Sequence, residues 1–140
     1  KKYNLKTNLY HIPILFYHPS GKIKIEKSDK VFQQLDILPT ILDLLNIEME
    51  FYAFGNSFYQ TSYGEAITYI SGSYYYFKDG HMTTFIDKKA RNLYNYTIQG
   101  GAKEDSISFY RSKSIINENR IKAMLQRYTE DLNLNQTTIK

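Results

Sequence analysis

The chain has 140 residues, a length that buries roughly 68–70% of its unfolded surface on folding and can hold a core without staples. Hydrophobic residues at 42% and charged residues at 23% exclude disorder, collagen-like repeats and coiled coil, and zero cysteines exclude a disulfide framework, a thiolate zinc site and a cysteine nucleophile. Eighteen Lys+Arg against fourteen Asp+Glu leave a net charge of +4, with the cations scattered along the chain as a solvated surface rather than gathered into a nucleic-acid footprint.

The first apolar segment runs from Tyr10 to Tyr17, rich in β-branched and aromatic residues, and predicts a strand covered on both faces as in the interior of a sheet. Its longest uninterrupted run is residues 12–17, Ile12-Pro13-Ile14-Leu15-Phe16-Tyr17, far short of the roughly 20 residues that cross a bilayer. A chain that opens on Lys1 and enters such a strand so soon reads as a piece of a longer protein, with any targeting signal upstream. His18-Pro19-Ser20-Gly21 ends the strand, and the charge–isoleucine alternation of residues 22–27 predicts a short edge strand or hairpin arm.

Residues 36–45 carry the clearest helix pattern. Asp36 is placed to cap it, Pro39 falls in the first turn, and Leu38, Ile41, Leu42 and Leu45 form one apolar stripe expected to pack on the sheet. Asn46 stands where a left-handed residue closes a helix. Beyond Gly64 the pattern changes. Residues 65–70, 73–77, 81–86 and 91–97 predict four short strands, separated by Ser71-Gly72, Lys78-Asp79-Gly80 and Asp87-Lys88-Lys89-Ala90, an antiparallel meander with Tyr74, Tyr76, Phe85 and Tyr94 on an aromatic face. Residues 100–105 read as a loop. From about Asn117 to Leu132 a last amphipathic helix presents Ile121, Met124, Leu125, Tyr128 and Leu132, and Tyr74 or Tyr75, Phe85, Leu125 and Tyr128 are expected to share its core with the meander.

Candidate chemistry is sparse. His11 and His18 are seven apart on one predicted strand and so face opposite ways, and His81 follows a turn, which leaves no convergent metal set. Glu48 and Glu50, Glu104 and Asp105, and Glu130 and Asp131 read as solvated charges, the last pair on the polar face of the final helix. Ser57, Ser71 and Ser73 lie outside any nucleophile-elbow pattern, and no phosphate-binding glycine motif is present. No residue is assigned a catalytic, cofactor-binding or metal-binding role. The run Tyr74-Tyr75-Tyr76-Phe77 opens a second reading, an aromatic module that stacks glycan or nucleic acid, against the simpler one in which alternate rings pack under the last helix.

The order of segments resembles the C-terminal part of the sulfatase family in the alkaline-phosphatase superfamily. The likeness rests on His11-Ile12-Pro13-Ile14-Leu15-Phe16-Tyr17-His18-Pro19, on Gln34-Leu35-Asp36-Ile37-Leu38-Pro39-Thr40-Ile41-Leu42-Asp43-Leu44-Leu45-Asn46-Ile47, and on Tyr52-Ala53-Phe54-Gly55-Asn56-Ser57-Phe58, the last similar to the lipoteichoic acid synthase branch of phosphoglycerol and phosphoethanolamine transferases. Residues 120–128 are similar to the end helix of membrane-anchored bacterial members. The resemblance implies an α/β parent fold, α+β when this segment is taken alone: residues 1–62 would close an alkaline-phosphatase-like core, and residues 63–140 would be a four-stranded antiparallel subdomain with its helix. It further implies an extracytoplasmic parent with a Thr, Ser or formylglycine nucleophile and a divalent metal (Mn, Zn, Mg or Ca), all held upstream, and a membrane reached only through that absent part. The partner implied is the upstream catalytic core, with self-association through the strand at residues 12–17 as the other way to cover it and no nucleic acid.

Overall fold

The computed structural model describes residues 12–21, 23, 28–60, 62–97 and 101–137. Five antiparallel strands, β1 (Glu65–Ile70), β2 (Ser73–Lys78), β3 (His81–Ile86), β4 (Lys89–Thr97) and β5 (Gly101–Asp105), lie in sequence order in one sheet. Three of the connections are two residues long, and both residues of each have positive φ: Ser71 and Gly72, Asp79 and Gly80, Asp87 and Lys88. That is the type I′ geometry, whose twist matches the strands it joins. The expected four strands are present with ends shifted by up to two residues, whereas the loop expected over residues 100–105 gives way to β5. There the backbone pairs Tyr94 with Asp105, Tyr96 with Ala102 and Thr97 with Gly101. A ladder of backbone groups needs no side-chain alternation, so a Gly-Gly-Ala opening concealed it.

One helix, α2 (Arg111–Asn133), crosses the sheet. Tyr76, Phe85 and Ile121 form the core between them, with Ile67, Tyr74, Met124 and Leu125 packed around it. Two expectations for this core fail: Tyr128 is exposed and sits edge-on to Phe54 at 5.6 Å, and Leu132 faces solvent. The helix also begins six residues before the predicted start at Asn117. Its first turns bury Ser114 and Asn117, not apolar residues, so the hydrophobic period is silent there. Leu134 ends it and Asn135 takes a positive φ, with Gln136 N donating to Asp131 O and Asn135 N to Leu132 O, the paired bonds of a Schellman close.

Before the sheet, a 3₁₀ turn (Gln34–Asp36) runs into α1 (Ile37–Leu44). Pro39 stands in its first turn, and Asn46 is left-handed with Ile47 N donating to Leu42 O. Three expectations are corrected here. Residues 12–17 form no strand: no ladder partner lies beside them among the described residues, and Leu15 is 82% exposed. Of the α1 stripe only Leu42 is buried, while Leu38, Ile41 and Leu45 face outward. The Asp36 side chain makes no bond into the first turn of α1 and binds other partners, described below. The edge arm expected over residues 22–27 falls mostly outside the described residues. The fold seen is α+β, and the alkaline-phosphatase-like core is not part of it.

Candidate functional site

Two of the segments singled out in the sequence interlock around Asp36. Its Oδ2 accepts from Gln33 N at 3.0 Å, reaching back across the 3₁₀ turn, and its Oδ1 accepts from Asn56 N at 2.9 Å. Asp36 is thereby buried with two backbone partners, which a carboxylate needs once it leaves water. Thr40 Oγ1 donates to Asp36 O at 2.6 Å and accepts from Phe58 N at 3.0 Å, while buried Ser57 donates its hydroxyl to Asp43. Gly55 lies directly on the turn: a Cβ there would stand 2.1 Å from Leu35 O. The residue must be glycine for want of space, not for backbone freedom.

This unit is tied to the sheet. Gln33 Oε1 accepts from Ile67 N at 3.2 Å and so occupies the outer edge of β1. Gly64 approaches Val31 so closely that a Cβ would stand 1.7 Å from Val31 O. Lys30 donates to Phe58 O and lies over the Phe58 ring, and burial lowers its pKa despite the charge of Asp36. On the far side Tyr52 OH donates to Asp131 Oδ2 at 2.9 Å, and Arg127 Nε donates to the same oxygen at 2.7 Å. Asp131 is buried, not on a polar face as the sequence suggested, because Tyr52 from the loop closes over it.

Between these ties lies a charged cluster. Arg120 Nε donates to both carboxylate oxygens of Glu65 at 3.2 Å, and the Tyr76 hydroxyl donates to Glu65 Oε2. Burial pushes the Glu65 carboxyl up, but the bonds from Arg120 and Tyr76 and the charge of Lys78 outweigh it and hold it below its ordinary value. Burial and the same carboxylate push the Tyr76 hydroxyl far up, so it stays protonated. The cleft beside the cluster, lined by Lys30, Asp36, Asn56, Tyr63, Glu65 and Arg120 among others, encloses about 130 Å³, below the roughly 300–1,000 Å³ of small-molecule sites. Its two carboxylates are engaged. The arrangement braces the fold and offers no free acid or base.

The other sequence candidates scatter. His18 Nδ1 lies 2.6 Å from Ser20 Oγ in an exposed turn, and His81 Nδ1 lies 2.7 Å from Asp79 O beside the Tyr110 ring; His11 is outside the described residues. No three His, Asp or Glu side chains converge among the described residues. Glu48 and Glu50 are exposed, and Asp105 accepts from Asn92 Nδ2, Leu93 N and Ile107 N. In the tyrosine run, Tyr76 is fully buried, and Phe77 leans edge-on against Tyr96 at 4.9 Å. Sequence reasoning missed Asn117, whose Nδ2 donates to Thr83 Oγ1 at 2.8 Å inside the fold. Its signal was available: an amide four residues before Ile121 on the buried stripe requires a buried acceptor. No protein-family model, curated protein or solved structure matches this chain.

Proposed function

We propose that the chain is the C-terminal part of an extracytoplasmic, metal-dependent sulfatase-like enzyme of the phosphoglycerol or phosphoethanolamine transferase branch, and that it supports the active site without supplying catalytic groups. The observation that carries the reading is the interlock of residues 34–46 with residues 52–58. The motif residues that prompted the resemblance are the ones that touch: Asp36 with Asn56, Gly55 with Leu35, Thr40 with Phe58, and Asp43 with Ser57.

The outward face of α1 supports the same reading. Leu38, Ile41 and Leu45 are exposed on α1, as is Ile47 just beyond it, more apolar side chain than scattered surface residues explain. In the proposed parent, the upstream core covers this face. The divalent metal belongs to that upstream part, where it would polarise the ester; the described residues bring no donor set together for it. No described helix is long and apolar enough to cross a membrane.

Reading the gene upstream of the Lys1 codon tests the proposal. An open frame encoding a Ser or Thr nucleophile and a later Asp-His pair, whose product cleaves phosphodiester or aryl sulfate when given manganese, is the expected result. A frame lacking both elements overturns it.

A further inference from the structure

Tyr69 and Tyr74 stand opposite each other where β1 turns back into β2. The connection is two residues long, so Ile70 and Ser73 close it by exchanging backbone bonds, and the next pair out, Tyr69 with Tyr74, exchanges none. The bond from Ile67 N to Gln33 on the outer side of β1 agrees, since Tyr69, two residues on, has the same backbone orientation. Pairs of this kind bring their side chains closest, with Cα atoms about 4.5 Å apart. The two phenol rings lie 4.7 Å apart between centroids, tilted by 51°, at the near end of the roughly 4.5–7 Å over which aromatic pairs pack.

Tyr69 is 60% exposed, whereas Tyr74 is half-buried against the core and edge-on to Phe85 at 6.3 Å. One ring is open to solvent and the other is held in place. Composition makes phenols the targets of one-electron oxidation: the chain has fourteen tyrosines, zero cysteines and zero tryptophans, so no thiol or indole competes for the oxidant. Other exposed tyrosines rest against different groups. Tyr59 leans on Phe58, Tyr110 on His81 and Tyr128 on Phe54, and Lys78 Nζ lies over the Tyr63 ring. A phenoxyl radical on any of these meets a neighbour with which it forms no biphenol.

We infer that Tyr69 and Tyr74 are a dityrosine site, joined by an ortho-to-ortho carbon bond when a haem-peroxidase type of one-electron oxidant acts on the chain with hydrogen peroxide. Each phenol gives the oxidant one electron and its hydroxyl proton. The two radicals, whose unpaired electrons are shared onto the ortho carbons, form one C–C bond; each of those carbons then loses its proton and each oxygen regains one, which restores both aromatic rings and both hydroxyls. The two hydrogen atoms removed convert one hydrogen peroxide into two waters. The product staples the edge strand β1 to β2. Residues 30–58 attach at that strand and at the glycine before it, through Gln33 and Gly64, so the staple falls beside the junction. The inference is independent of the sulfatase-like reading, since it uses none of the residues that carry it.

Treatment of the full chain at micromolar concentration with a haem peroxidase and hydrogen peroxide tests it, the monomer being separated from cross-linked dimer under denaturing conditions before it is read. The monomer is expected to show the blue fluorescence of dityrosine. Its digest should hold the peptide spanning both residues, two hydrogen atoms lighter and yielding no backbone fragments between Tyr69 and Tyr74. Tyr69→Phe and Tyr74→Phe each keep the ring, and each should lose both the fluorescence and the mass change, while Tyr59→Phe should retain both. The inference is overturned if the monomer carries no dityrosine, if its link maps to another pair such as Tyr75 and Tyr94 on the opposite face of the sheet, or if Tyr69→Phe retains the signal.

Discussion

The two halves of the molecule solve burial in opposite ways. From β1 onward, apolar side chains turn inward: Tyr76, Phe85 and Ile121 close on one another, and type I′ turns fix the register that puts them there. Residues 30–58 instead turn polar groups inward. Asp36, Thr40 and Ser57 are buried among backbone donors, while leucines and isoleucines of α1 point out. The half from β1 onward adds bonded polar groups, Glu65, Thr83, Asn117 and Asp131, to its hydrophobic core, whereas residues 30–58 rest chiefly on directed bonds and close glycine contacts. The difference teaches that residues 30–58 are shaped from within by their bonds and leave the apolar residues of α1 outside.

The largest effect should come from the two close glycine contacts, Gly64 with Val31 where residues 30–58 meet the sheet and Gly55 with Leu35 within residues 30–58. Gly64→Ala drives a Cβ into Val31 O and Gly55→Ala drives one into Leu35 O; backbone cannot yield as a flexible side chain does, so each should cost at least about 3 kcal/mol in urea unfolding. Ile121→Ala comes next. Its side chain is wholly buried in the core, and its loss should cost about 3 kcal/mol, in the usual range for emptying such a site. If Gly64→Ala proved milder than Ile121→Ala, the bonded half would be more pliable than the hydrophobic one and the comparison would fail.

The fold was legible in the sequence where side-chain period and turn chemistry coincide. Ser-Gly and Asp-Gly turns between alternating aromatics placed β1 to β4, and Pro39 and Asn46 bounded α1. It was illegible where backbone or buried polar groups decide. β5 pairs through its main chain, α2 starts on Ser114 and Asn117, and Asp36 bonds to Asn56, twenty residues away, rather than to its own helix. Residues 12–17 misled for another reason: apolar composition states what a segment would bury, and the covering partner is not written in it. Of the candidate site, the motif residues were visible but their mutual contacts were not.

A smaller effect, dependent on pH, distinguishes the charged cluster from the cores on either side. Glu65 has its pKa depressed in the fold, so its contribution is present above the ordinary carboxylate value of about 4.3 and is lost as pH falls through the lowered folded value. Glu65→Gln keeps an acceptor for Tyr76 but removes the charge facing Arg120, and should cost about 2 kcal/mol at neutral pH. The gap between the two proteins should narrow in acid, because protonation then neutralises Glu65 in the parent as well. A gap that holds constant down to strongly acid pH would mean that the Arg120 bond contributes nothing through charge.

The smallest effect is the one that tests the outward face. Leu38 is 50% exposed on α1, so Leu38→Gln exchanges one good helix former for another and removes little contact. The unfolding free energy of the chain should change by less than about 0.5 kcal/mol. A leucine on the buried stripe of a helix costs about 2–5 kcal/mol when truncated, and the sequence alone gives Leu38 that stripe. The outcome therefore decides between the two descriptions of α1. A near-zero change, with a gain in solubility at high concentration, places Leu38 on a surface made for a partner outside these residues. A loss above about 1.5 kcal/mol would mean that the chain covers Leu38 itself, and α1 would then belong with the hydrophobic half of the molecule rather than in contrast to it.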